Sequence, residues 1–303
     1  MTRKVVASYL MKDGSRFTDK AGWETMSFMD EVKDRDPRLA QSIITSAYIR
    51  DGEEVTSPQN MVNTTTGYAP IKYLTKAEYN AYKKAEIDLI LFRAAEVYLN
   101  YAEAKAELGT LTQEDLDMSV NKLRERVGMP AMNMAAANAK PDPYLKAPAS
   151  GENTWGGFSK VATGGNEGVI LEIRRERMIE LIQEGHRYYD IIRWAEGKVF
   201  ESPLYGIYVP QPTDGKVIFD FNGDGTNDYC VYQADKPSDK VTVYQKVEAD
   251  VVLSNGTYGY IQMHKGMGKW DEGRDYLKPI PSEERSLNRN LTQNPGWKDG
   301  LDF

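Results

Sequence analysis

Residues 87–109 read IDLILFRAAEVYLNYAEAKAELG, and the spacing of their apolar positions decides the fold class. Ile87, Ile90, Leu91, Ala94, Ala95, Tyr98 and Ala102 recur at the three-and-four interval of one helix face. Arg93, Glu96, Asn100, Glu103 and Glu107 form a second, polar stripe, and Gly109 is a natural C-terminal cap. The stretch is expected to be one amphipathic helix. Beyond it, Thr112 can cap QEDLDMSVNKLRERVGM (113–129), which places Leu116, Val120, Leu123 and Val127 on one side and stops at Gly128. Two helices joined by a turn at Gly109 make an antiparallel pair. A second pair reads from EGVILEIRRERMIELIQEGHRYYDIIRWAEGK (167–198), with helices expected over about 169–183 and 187–195, divided near Gly185. Paired helices of this kind suggest tetratricopeptide-like hairpins, although no strict repeat period is visible.

The flanks read differently. Up to residue 86 the chain mixes short alternating stretches with turn signals such as Asp13-Gly14, Asp36-Pro37 and Asp51-Gly52. Between the helix pairs, residues 130–168 are rich in Pro, Ala and Gly and are expected to be an inserted loop. From residue 201 the chain turns to Val/Tyr-rich runs such as KVIFDFNGDGTNDYCVYQ (216–233) and KVTVYQKVEADVVL (240–253), which are strand and hairpin signals. The expectation is therefore a mostly α protein forming one domain over 1–303. Irregular chain fills 1–86, helical hairpins fill 87–200, and short strands with an extended C-terminal part fill 201–303.

Composition narrows the function. The chain has 303 residues, of which 41% are apolar and 11% aromatic, enough for a packed core. A net charge of −7 disfavours binding to a phosphate backbone, so no nucleic-acid partner is expected. One cysteine, Cys230, and two histidines leave no Cys/His zinc set. No run reaches the roughly 18 apolar residues that span a bilayer, and MTRKVVASYLMKDGSR lacks the apolar block of a secretion signal. Tyrosine outnumbers phenylalanine, 19 to 8, and a ring with a flat apolar face and a polar tip suits a sugar.

Catalytic motifs are scarce. Glu172, Glu176, Glu180 and Glu184 run down one helix face at intervals of four, and paired carboxylates can hydrolyse glycosides. Arg174, Arg175, Arg177 and Arg187 are interleaved with them, which favours structural ion pairs over a protonated general acid. A carboxylate-bundle metal site would need Glu three residues before His, but Gln183 precedes His186 and Ile261 precedes His264. No Gly-x-Ser-x-Gly elbow, P-loop or dinucleotide glycine motif is present.

One local motif points to a hard cation. In DFNGDGTND (220–228), Asp220, Asn222, Asp224 and Asp228 stand at calcium-loop positions 1, 3, 5 and 9, and the Thr226 carbonyl fits position 7. Position 12 is Val231 in place of the usual bidentate Glu, so structural Ca²⁺ here would need another ligand. The same residues also favour a metal-free hairpin turn. For ligand contact, rings on loops are favoured: Tyr48, Tyr68, Trp155 in NTWGGF, and Trp23.

Four segments in order carry a wider resemblance: DGSRF with RDPRL near the start, FRAAEVYLNYAEAKAELG, IRRERMIELIQEGHRYYDIIRW, and YLKPIPSEERSLNRNLTQNPGW. Together they resemble the SusD/RagB family of outer-membrane nutrient-binding lipoproteins. The resemblance implies a SusD-like α/α fold and non-catalytic capture of oligosaccharides or polysaccharides at the cell surface. It further implies delivery to a SusC-like TonB-dependent transporter. Met1 falls where chains of that family are well under way. The sequence is thus expected to be the later half of a longer protein whose earlier half carries a signal peptide, a lipidated cysteine and more helical repeats. Membrane attachment is expected only through that lipid anchor, which this chain lacks. Trp194 in IIRW and Trp297 in QNPGW are assigned to packing because they sit in the resembling motifs. Two other functions stay open: a glycoside hydrolase using paired carboxylates, and a module that binds only protein through its helical hairpins.

Overall fold

The protein is described by a computed structural model covering residues 1–161, 164–264 and 268–301. Residues 162–163 of the expected 130–168 loop lie outside the described residues. Ten α-helices are described: α1 (Arg3–Ser8), α2 (Phe28–Glu31), α3 (Pro37–Ala40), α4 (Ala94–Glu107), α5 (Gln113–Asp117), α6 (Val120–Arg126), α7 (Met134–Ala139), α8 (Glu167–Glu180), α9 (His186–Arg193) and α10 (Ser282–Leu287). Five short strands follow α9 in the chain: β1 (Leu204–Val209), β2 (Lys216–Phe219), β3 (Tyr229–Tyr232), β4 (Val243–Lys246) and β5 (Gly259–Met263). Helices therefore dominate, with two small sheets appended.

The axis of the molecule is α8. Every residue from Gly168 to Glu180 is buried, although the helix carries charged as well as apolar side chains. Val169, Ile170 and Ile173 face α4, α5 and α6, in a core with Leu99, Leu116 and Val120. Leu171 faces a second core with Phe17, Phe158, Ile191 and Trp194, and Ile179 reaches a third with Val6, Tyr9, Tyr68 and the strands. A helix surrounded in this way must pair its charges internally, because an unpaired charge in such a place costs several kcal/mol.

Four sequence expectations are corrected in detail. The first helix starts at Ala94 and not near Ile87. Leu89, Leu91 and Phe92 are 73–82% exposed, so helix formation there would gain no burial, and Arg93 sits in an extended conformation at the N-cap. The next helix is broken into α5 and α6, because the Ser119 hydroxyl donates to the Asp115 carbonyl and its backbone leaves the helical region. In the second pair α8 ends at Glu180 and α9 starts at His186, since Gln183 and Gly185 take positive φ. Finally, 130–168 is not all loop: α7 forms within it, capped by the Asn133 side chain accepting from the Ala136 amide.

The strands form two sheets. β1 pairs antiparallel with β5, while β2, β3 and β4 form a three-stranded sheet in that order, antiparallel then parallel. The β1–β5 register shifts between Tyr205 and Tyr208, which marks a bulge. Gly206 lies inside it because a Cβ there would stand 2.3 Å from the Thr66 carbonyl oxygen. The neighbouring Ile207 amide donates to that same carbonyl at 2.8 Å. The bulge is thus sewn to the irregular N-terminal segment.

Candidate functional site

A cleft of about 850 Å³ opens where the β1–β5 sheet meets the 143–155 segment. Six aromatic residues are among those that line it. Tyr205 and Tyr208 come from β1 and Tyr260 from β5. Residues three apart on a regular strand point to opposite faces, so the bulge at Gly206 is what lets Tyr205 and Tyr208 both contact Tyr260. Tyr205 stacks on Tyr260 with centroids 4.9 Å apart and planes 28° off parallel. Trp155 stands edge-on to both, at 5.9 Å from Tyr205 and 5.6 Å from Tyr260. Tyr258, Asn153, Ser254 and Asn255 add polar groups to the lining.

Local sequence explains why Trp155 is held there. The Asn153 side chain accepts from the Gly157 amide at 2.7 Å and donates to the Gly157 carbonyl at 2.9 Å, closing a tight loop around the tryptophan. Gly156 takes φ +58°, and the Lys4 ammonium donates to its carbonyl. Gly157 lies so close to the backbone of Lys146 that a Cβ would come within 2.3 Å. Both glycines of NTWGGF are therefore required by geometry.

Beneath the rings lies a buried polar cluster. Arg3 donates to the Trp23 carbonyl at 2.6 Å, to Glu31 at 3.2 Å and to the Tyr68 hydroxyl at 3.2 Å, and its guanidinium lies 5.1 Å from the centre of the Tyr260 ring. Burial alone would lower the Arg3 pKa, but Tyr68 and Glu31 outweigh it and raise it. Burial also pushes the Tyr260 hydroxyl above its usual range. The hydroxyl stays protonated and donates to the Glu24 carbonyl at 2.7 Å.

The sequence candidates separate. Trp155 lines the cleft. Trp23 backs it, packed 5.3 Å from Trp155 and edge-on to Tyr144. Tyr68, expected as a ligand-contacting ring on a loop, is instead a core residue: it is fully buried, and its hydroxyl donates to Glu31 at 2.7 Å. Tyr48 is half-buried in a turn and is not part of the cleft lining. Tyr205, Tyr208, Tyr258 and Tyr260 were not singled out from sequence. Their signal was present in LYGIYV (204–209) and YGY (258–260), where aromatic residues cluster around a strand glycine. Trp194 packs in the core and donates to Glu103 at 2.6 Å, and Trp297 donates to the Leu277 carbonyl at 2.8 Å.

The carboxylate series on α8 and just beyond it is tied up by cations. Glu176 contacts Arg38 at 2.9 Å and Arg124 at 2.7 Å; Glu180 contacts Arg93 and Arg126, each at 2.7 Å. Glu172 lies 3.2 Å from Arg175, and Glu184 is paired with Lys72 and Arg93. Burial pushes the Glu176 carboxyl up, but Arg124 and Arg38 outweigh it and hold it down at about 2.

In the 220–228 loop, Asp220 accepts from the amides of Gly223 at 2.6 Å and Gly225 at 2.9 Å. Asp224 accepts from Thr226 at 2.7 Å, and Asp228 from Phe221 at 2.8 Å. The Asn222 amide nitrogen donates to Asp224 and to Thr56. These bonds close the hairpin by themselves, and among the described residues no three His, Cys, Asp or Glu are grouped to hold a metal ion. No helix among the described residues is long and apolar enough to cross a membrane.

Comparison with known proteins adds the family. Two solved structures illustrate the fold. A SusD-like protein from Bacteroides fragilis matches with 21% identity and a TM-score of 0.56, over 98% of this chain and 46% of its own. A SusD-like carbohydrate-binding protein from the same organism matches with 23% identity and a TM-score of 0.59, over 96% of this chain and 48% of its own. The chain therefore spans about half the length of these relatives. A search of the curated proteins finds no match. The model of the SusD family matches residues 1–297, nearly the whole sequence, and the protein belongs to that family.

Proposed function

We propose that this protein binds oligosaccharides or polysaccharides in the Trp155 cleft and releases them chemically unchanged. The observation that carries this reading is the aromatic surface built by Trp155, Tyr205, Tyr208 and Tyr260. Sugar rings present C–H faces that pack on such rings, while their hydroxyl rims meet Asn153, Ser254 and Asn255. Family membership and the carbohydrate-binding relative point the same way. Within the whole protein, the bound glycan would pass to a SusC-like TonB-dependent transporter at the outer-membrane surface, with the tetratricopeptide-like hairpins as scaffold. Binding to a panel of soluble polysaccharides, followed by chromatography of the bound glycan, tests this. Retention without new reducing ends is expected; retention that survives removal of the Trp155 ring contradicts it.

Hydrolysis has one observation in its favour: Glu24 and Glu152 are both in the cleft lining. Both are exposed to solvent, and the α8 carboxylates are engaged by Arg and Lys. Shortened glycan products that vanish in Glu24→Gln or Glu152→Gln would establish an enzyme. Calcium at the 220–228 loop is a secondary proposal, a staple with no catalytic part. It is supported by the Asp228 carboxyl, which burial and then the charges of Asp220 and Asp224 push up, a strain a cation would relieve.

A further inference from the structure

We infer that the Trp155 cleft selects uncharged glycan chains and rejects those bearing uronate or sulfate groups. This inference rests on glycan binding at the cleft and adds the class of glycan. Three observations carry it.

First, the cleft lining includes two carboxylates and one cation: Glu24, Glu152 and Lys146. Both share the lining with the rings that a sugar would stack on: Glu24 adjoins Tyr260, whose hydroxyl donates to the Glu24 backbone carbonyl at 2.7 Å, and Glu152 lines the cleft with Tyr205. Among the described residues neither carboxylate has an ion-pair partner. Their negative potential therefore projects into the cleft.

Second, the cation already has a counter-charge of its own. Lys146 lies 2.7 Å from the Glu167 carboxylate. The other positive groups near the rings are also spoken for: Arg3 is buried under Tyr260 and bound to Glu31, and Lys4 donates to Gly156. Among the described lining residues an anionic sugar would find no guanidinium fork, which is the group best matched to carboxylate and sulfate.

Third, the polar groups left in the lining, among them Asn153, Thr154, Ser254 and Asn255, are uncharged, and each can both donate to and accept from hydroxyls. The recognition surface is thus suited to neutral rings, and a polyanion would meet the like charge of Glu24 and Glu152 in the lining. The overall charge of −7 adds to that repulsion at long range.

Affinity electrophoresis tests the inference. The complete chain is run through gels containing each of a set of neutral polysaccharides, and through gels containing the same polymers oxidised at C6 to uronate. The neutral polymer that retards the protein is expected to bind about tenfold more tightly than its oxidised form at low ionic strength, and the gap should narrow in about 0.5 M salt. The Glu24→Gln/Glu152→Gln double variant should close most of the gap by improving binding of the oxidised form. Oxidised polymers that bind as tightly as neutral ones, or better, overturn the charge selection and leave glycan binding intact. A gap indifferent to both salt and the double variant also overturns it, because the loss would then come from the missing C6 hydroxyl. Retardation by no polymer overturns glycan binding itself, and the charge selection with it.

Discussion

Two sets of glutamates in this molecule have opposite surroundings. Those of the α8 stripe are enclosed and paired with Arg38, Arg93, Arg124, Arg126 and Lys72; Glu24 and Glu152 stand exposed at a cleft of aromatic rings and have no ion-pair partner among the described residues. The first set fixes how the helices meet. The second leaves its charge to be met by whatever enters. Residue type alone therefore says little about role; the nearest cation decides it.

The sharpest way to break this contrast is to remove one enclosed carboxylate. Glu176→Ala takes one counter-charge from Arg38, which keeps Asp36 and Glu180, and the nearer one from Arg124, which keeps Glu172 at 3.8 Å, so chemical denaturation should show a loss of about 3 kcal/mol. Acid should act on the same group. Its carboxyl is held down at about 2 from an ordinary 4.5, so the stability it contributes is present above 4.5 and is lost as pH falls through about 2. The acid transition of the native protein should weaken in Glu176→Gln, and an unchanged acid profile would show the pair to be energetically idle.

At the cleft the expected losses are in binding. Trp155→Ala should weaken the bound glycan by about 30-fold or more with an unchanged far-ultraviolet spectrum, since one packed aromatic contact is commonly worth about 2 kcal/mol. Gly156→Ala forces a side chain onto a backbone at φ +58° and against the Lys4 ammonium, and should cost about 1–2 kcal/mol of stability together with part of the affinity. The smallest effect concerns the Asp220–Asp228 loop. Excess chelator is expected to lower the melting temperature by about 2–4 °C if calcium contributes about 1 kcal/mol. Metal-free protein with an unaltered melting curve would leave the loop as a hairpin closed by its own hydrogen bonds.

Much of the scaffold was legible because helix periodicity is a local signal. The positions of α4, α8 and α9, the stop at Gly185 and the β2–β3 hairpin around NGDG all follow from neighbouring residues. What sequence could not show was long-range cover. Ile87 to Phe92 have helical spacing, but the structure gives Leu89, Leu91 and Phe92 nothing to pack on. The cleft was harder still. Trp155 stood out as a ring in a glycine-rich loop, whereas Tyr205, Tyr208 and Tyr260 are collected from two strands some 50 residues apart, and the local sign of the bulge, Gly206 within LYGIYV, says nothing of which strand lies opposite. Tyr68 misled for the converse reason: turn residues surround it, yet Glu31 and Arg3 draw it into the core.

Isothermal titration with the best-retained neutral polysaccharide tests the central claim most directly, comparing the native protein, Trp155→Ala and Tyr48→Ala. Glycan capture by the aromatic cleft predicts measurable binding for the native protein, near-native binding for Tyr48→Ala, and a loss of about 30-fold or more for Trp155→Ala. Equal binding by the native protein and Trp155→Ala would contradict it.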